Sequence, residues 1–274
     1  MIGWVIYDEA GYKRNKWFAN ELRDRLGSDC RLIISEYLDF GVDGGFFFKY
    51  MGERMELPAY VVQRCIYPVL SDTLETAGVR VFNSARVCRV CNDKRATLLL
   101  ASSLGINCPK TVFADRAFKP KFEDFPCVLK AAGGHGGSQV IMVNSNEEYL
   151  KSAEDFDSRD ILFQQIVDPG RDKRVYLLGG KVLACVERHS HRDFRSNFSL
   201  GGSAEPADVS DAELRAVRLI NGELKPDFVG VDFIYKNGVP LLNEVEDIVG
   251  TRMLYELTDI DAVGEYAKYI KGTI

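Results

Sequence analysis

Short β-rich apolar runs separated by helix-length amphipathic stretches constrain the first third of this chain more than any other feature. Residues 2–7 form such a run, and 31–35, 60–64 and 79–82 repeat it. Between them, 15–26 carries Trp17, Phe18, Leu22 and Leu26 at helical spacing before Gly27, and 71–77 reads as a helix closed by Gly78. Strands alternating with helices predict an α/β fold with a parallel sheet. The aromatic stretch GGFFFKYMG interrupts the alternation. It reads as a buried hairpin, because three consecutive phenylalanines cannot face one cleft.

From Asn83 the texture changes. NDKRATLLLASSL predicts a helix over 92–104, stopped by Gly105 and Pro109. Strands are expected at 127–130, 140–143 and 161–166, with a helix near 147–153. A hairpin joined at Gly179-Gly180 should link 174–178 to 181–188. Ser210-Asp-Ala-Glu213 has the form of a capping box opening a helix to about residue 220. Strands at 229–235 and 240–245 flank Asn237-Gly238, and 261–270 closes the chain as an amphipathic helix.

Three segments carry chemistry. In VLKAAGGHGGSQV a strand ends at Lys130 and four glycines follow within 133–137. Glycine allows backbone N–H groups to approach phosphate oxygens, although a glycine-rich hairpin tip has the same composition. In GVDF and NEVED, Asp232, Glu244 and Glu246 interrupt two apolar strands. Such carboxylates suit Mg²⁺ with substrate phosphates, or belong to strands with one solvated face. Parity decides how they meet: a three-residue loop, 236–238, would pair Tyr235 with Val239 and put all three carboxylates on one face. That loop requires Gly238 at positive φ. In HRDFRSNFSLGG, with Asp172 and Arg174 upstream, the arginines suit phosphate oxygens or are ordinary surface arginines.

Composition excludes several classes. Thirty-five basic against 40 acidic residues, net −5, argue against a nucleic-acid binder. No apolar run approaches the ~20 residues needed to span a bilayer, and the first residues lack the signature of a signal peptide. Seven scattered cysteines fit reduced thiols in the cytoplasm. Cys88 and Cys91 have metal-like spacing without a second close pair, so they read as a zinc half-site or as thiols in a connecting segment.

The three segments, with VFNS, NDKRATLLLASSLGINCP, LFQQIV and DKRVYLLGG, resemble in order and spacing the ATP-grasp superfamily, specifically its RimK-like amide ligase branch. The resemblance runs from about Tyr60 to the C-terminus. It implies a Rossmann-like N-terminal domain, 1–84, followed by a two-lobed ATP-grasp fold, 85–170 and 171–274. The implied activity is ATP- and Mg²⁺-dependent joining of a carboxylate and an amine, on a small molecule or peptide, through an acyl phosphate. Two Mg²⁺ ions are implied, with Mn²⁺ as substitute.

Carried over by position, the resemblance places Lys94 and Lys130 on ATP phosphates and Gly134, Gly136, Gly137 and Ser138 in a closing loop. Gln165, Ile166 and Val167 fall at the adenine-reading edge, with Gln165 where the family has Glu. Arg174, Arg195 and Asn197 fall where phosphates or the acyl phosphate are contacted. Asp232, Glu244 and Glu246 fall at the metal ligands, Glu246 replacing the usual Asn. DIVGTRM keeps Gly250 but lacks the small-Pro-Gly turn beside the acceptor pocket, so the substrates do not carry over. A phosphotransferase, or a nucleotide-binding module altered in its chemistry, would use the same ATP and metal site. Dimerisation, common in the family, has no signature here.

Overall fold

The computed structural model describes residues 1–118, 123–133, 139–156, 158–190 and 202–274. The chain opens with β1 (Gly3–Tyr7), α1 (Glu9–Leu26) and β2 (Cys30–Ile34). Helix α1 begins six residues earlier than the apolar spacing suggests, because the Asp8 carboxylate accepts from Gly11 N and caps it. It breaks at Asn15 (φ −121°, ψ 25°), whose side-chain amide donates to Gly11 O at 2.9 Å.

The aromatic stretch forms a small antiparallel sheet from β3 (Leu38–Val42), β4 (Phe46–Tyr50) and β5 (Glu53–Arg54). It is a hairpin as expected but not a buried one. Of its three adjacent phenylalanines only Phe48 is buried, since alternate strand residues face opposite sides. Strand β6 (Tyr60–Gln63), helix α2 (Pro68–Thr76) and strand β7 (Arg80–Phe82) follow. Strands β2, β1, β6 and β7 lie in that order and pair in parallel.

Residues 85–104 hold two helices, not one: α3 (Ala85–Cys91), capped by Ser84, and α4 (Lys94–Ser103), capped by Asp93. Cys88 and Cys91 therefore lie buried on a helix and not in a connecting segment. Their burial raises both thiol pKa values, Cys88 to about 12. A second sheet orders β10 (Val140–Val143), β9 (Cys127–Ala131), β11 (Asp160–Gln165) and β8 (Thr111–Asp115), all antiparallel, with α5 (Asn146–Ser152) between β10 and β11. The glycine cluster joins β9 to β10; its residues 134–138 lie outside the described residues.

A third antiparallel sheet orders β14 (Ser203–Pro206), β13 (Lys181–His189), β12 (Arg171–Leu178), β15 (Phe228–Lys236) and β16 (Val239–Glu246). Helix α6 (Asp211–Leu224) carries the complete Ser210–Glu213 capping box, and α7 (Arg252–Leu257) and α8 (Ala262–Lys271) end the chain. One face of this sheet packs under α3, α4 and α6 through Val175, Val231, Phe233 and Val245. Tyr176, Val186 and Phe228 join it to the parallel sheet and to α1, α7 and α8.

Asn83, from VFNS, stitches the parallel sheet to the third sheet. Its amide nitrogen donates to Phe228 O at 2.8 Å and Asp247 O at 3.1 Å, and its oxygen accepts from Asp227 N and Phe228 N at 2.6 and 3.0 Å. An Asn83→Ala variant leaves four buried backbone groups unpaired and should lose about 2–4 kcal/mol in chemical denaturation. A loss within error would show that water replaces the amide.

Candidate functional site

The site lies where β9 of the second sheet faces β16 of the third. Lys130, near the end of β9, is almost fully buried, and its ammonium donates to Asn243 Oδ1 at 2.9 Å. Burial pulls the Lys130 pKa down to about 8, opposed by the nearby negative charge of Glu244 and reinforced by Lys94. Lys94, the first residue of α4, is buried too and stands 3.6 Å from Glu244 Oε2. Its backbone N–H donates to Ala132 O, which ties the start of α4 to the end of β9.

The turn between β15 and β16 corrects the expected three-residue loop. Lys236 pairs with Val239, so the loop is Asn237-Gly238 alone, and both residues take positive φ, 52° and 77°. That is a type I′ turn, whose twist suits the paired strands. By parity it would turn Asp232 away from the glutamates. A bulge at Asn243 reverses this: Phe233 pairs with Leu242, but Asp232 pairs with Glu244 and Gly230 with Glu246. The three carboxylates share a face after all, and the extra residue is the one that meets Lys130.

Arginines knit that face together. Arg174 makes a bidentate pair with Asp232, Nε–Oδ1 2.8 Å and Nη2–Oδ2 2.7 Å, and its Nη1 lies 2.5 Å from Glu246 Oε2. Arg188 reaches Asp232 Oδ2 at 2.9 Å and also pairs with Asp172. Burial alone would raise the Asp232 pKa, but the two guanidiniums pull it down to about 2. Burial outweighs Arg188 at Asp172 and pushes it up to about 6, and it raises Glu246 as well. Gly230 makes room for this arrangement: a Cβ there would lie 2.8 Å from Val249 and 3.2 Å from Arg174 Cδ.

Among the described residues no three His, Cys, Asp or Glu side chains form a ready metal cage. In this arrangement the Arg174 guanidinium stands between Asp232 and Glu246, and Glu244 faces Lys94. The donor chemistry still suits Mg²⁺. The face offers hard carboxylate oxygens, and the buried Glu246 Oε2 has its ion pair with Arg174 but no hydrogen bond of regular geometry.

Gln165 ends β11 and accepts from Lys236 Nζ at 2.9 Å; Ile166 and Val167 follow in the connection to β12. Gly134, Gly136, Gly137, Ser138, Arg195 and Asn197 lie outside the described residues. The sequence reading missed Arg188 and Asn243. Arg188 had a signal, a buried charge in the apolar run VLACVER opposite Asp172 across the hairpin. Asn243 had none, since the bulge appears only in the pairing.

A cavity of about 650 Å³ opens beside Arg174, Arg188 and Glu246 and extends to α1 and α7. Its volume is in the range of small-molecule sites.

Known proteins resemble this chain in sequence and in fold. The RimK-like ATP-grasp domain model matches residues 91–270. A probable alpha-L-glutamate ligase of Maridesulfovibrio salexigens is 30% identical over 208 residues, covering 72% of this chain and 69% of that protein. The D-alanyl-alanine synthetase A of Vibrio cholerae superposes with a TM-score of 0.74 at 15% identity, covering 100% of this chain and 98% of that one. The ATP-grasp ligase PsnB, complexed with a phosphomimetic variant of its minimal precursor, Mg and ADP, superposes at 0.72 and 17% identity, covering 99% and 98%. The chain belongs to the RimK-like ATP-grasp family, the ATP-dependent, ADP-forming carboxylate–amine ligases.

Proposed function

We propose that this ligase activates a carboxylate of a small molecule or peptide as an acyl phosphate at the face formed by Asp232, Glu244 and Glu246. The observation that carries the reading is the meeting of Lys130 with Asn243. It sets a buried cation of one sheet against the carboxylate face of another, where a triphosphate would need both charges and metal. A substrate carboxylate oxygen attacks the γ-phosphorus, and the bond from phosphorus to the bridging oxygen breaks to release ADP. An amine then attacks the acyl carbon, phosphate leaves, and the nitrogen loses a proton to give the amide.

Lys94 and Lys130 hold ATP phosphates, and the backbone edge at Gln165, Ile166 and Val167 takes adenine. Gly134, Gly136, Gly137 and Ser138 close over the triphosphate, which keeps water from the acyl phosphate. Arg174, Arg188, Arg195 and Asn197 stabilise the transferred phosphoryl group. Asp232, Glu244 and Glu246 would hold two Mg²⁺ ions, with Mn²⁺ as a substitute. When bound, the ions offset the repulsion between the attacking carboxylate and the γ-phosphate. The ion pairs between Arg174 or Arg188 and the carboxylates give way to these partners, each charge exchanging one counter-charge for another. No described helix is long and apolar enough to cross a membrane, and the sequence fits a cytoplasmic enzyme.

The depressed pKa of Lys130 sets a pH dependence. ATP phosphates favour the charged lysine, so ATP binding takes up a proton wherever the free protein has lost it. Affinity for ATP should therefore fall as pH rises through about 8. Lys130→Met should weaken affinity or turnover roughly tenfold or more and abolish that fall. Calorimetric titration at several pH values checks both, and unchanged ATP binding by the variant would reduce Lys130 to an ordinary strand-end residue.

Glu244 and Asp232 should behave differently. Glu244→Gln removes a ligand charge at a partly exposed position, so Mg²⁺-dependent ADP release falls while the melting temperature holds. Asp232→Asn leaves two buried guanidiniums short of a counter-charge and should in addition cost about 3–5 kcal/mol of stability. Full ADP release by Glu244→Gln would remove it from the metal set.

A further inference from the structure

The 650 Å³ cavity is walled by two elements that take no part in holding nucleotide: Arg14, Trp17 and Phe18 of α1, and Arg252, Met253 and Tyr255 of α7. Arg14 and the Asn15 break lie together in α1, so the helix departs from regular geometry where it meets the cavity. Trp17 and Tyr255 touch edge to face with ring centroids 5.0 Å apart, which locks the two helices together. Trp17 nevertheless stays 55% exposed, an unusual position for a large aromatic unless something covers it.

The charges are unbalanced. Arg174 and Arg188 already face Asp232, Glu246 and Asp172. The side chains of Arg14 and Arg252 make no hydrogen bond or ion pair with any described residue, and Glu256 is the one other carboxylate in the described lining. Two uncommitted guanidiniums in a concavity of a protein with net charge −5 mark it for an anion. The cavity's inner end is the arginine–carboxylate face where the carboxylate would be activated.

We propose that this cavity holds the acid substrate and selects one with two anionic groups. One carboxylate reacts beside Arg174, while the second group is gripped by Arg14 and Arg252 and the stem between them lies against Trp17 and Tyr255. The assignment rests on the ligase reading and names the substrate class: a dianionic acid with an apolar stem. Arg14 lies outside the span that the family model matches, so this selectivity belongs to this chain's own N-terminal helix.

Hydroxylamine serves as a general amine, since it converts an acyl phosphate to a hydroxamate whatever the natural amine. The protein is given Mg²⁺, ATP and hydroxylamine with matched acids that differ only in the remote charge: glutarate against glutaramate, adipate against adipamate. The diacids should be preferred in kcat/KM by roughly tenfold to a hundredfold, the range for hydrogen bonds to a charged group. Arg14→Gln and Arg252→Gln should each shrink that preference by raising KM for the diacid, with little change for the monoamide. Both arginines are exposed, so melting temperatures should match the unmodified protein. Equal use of diacid and monoamide, or a preference that both substitutions leave intact, overturns the proposal and leaves the ligase reading standing. No hydroxamate from any acid, with ATP still bound, overturns the reading of carboxylate activation and the proposal with it.

Discussion

The arrangement around Asp232 governs the rest of the molecule. A carboxylate this deeply buried is tolerable only when paired, and both its oxygens are taken by guanidiniums from two neighbouring strands. Arg174 arrives from β12 and Arg188 from β13, and Arg174 continues to Glu246 on β16. Four strands of one sheet are thus pinned by charge on one face, while Val175, Val231, Phe233 and Val245 pin the other through apolar packing. Charged residues on one face and apolar ones on the other let the sheet wall the core and carry a charged surface at once.

Small backbone features decide whether that surface can form. Without the bulge at Asn243, the two-residue turn would send Asp232 and the glutamates to opposite faces. With it, the carboxylates gather and Asn243 turns to meet Lys130 of the facing sheet. Gly230 leaves the space through which Arg174 crosses β15. Asn83 then fixes the parallel sheet against the same strands, with every hydrogen-bonding position of its amide in use. The cavity lies where α1, packed in one core with the parallel sheet, comes alongside Arg174 and Arg188 of the third sheet.

The two ends of the site depend on different parts of the chain. The charged face, with Lys130, Arg174 and the three carboxylates, lies within the residues that the family model matches, and the α1 wall of the cavity lies outside them.

The residues alone specify the longer helices and most of the strands, the strand carrying Lys130, the hairpins at Gly179-Gly180 and Asn237-Gly238, and the three carboxylates on the paired strands. Each rests on local rules: period, capping, turn chemistry and the cost of a charge in an apolar strand. Local rules failed where the answer lay in pairing. Helix α3 was read as connection because its short apolar face, Val87 and Cys91, is completed only by packing against α6 and the third sheet. The loop length at Asn237-Gly238 was misjudged because the bulge that corrects the parity sits five residues away. Only the tertiary structure decided that Arg174 and Arg188 neutralise Asp232, that Lys130 meets Asn243, and that Arg14 faces the same cavity as Arg252. The contacts among these join residues 44 to 113 positions apart, and charge pairing at that separation leaves no mark on local spacing.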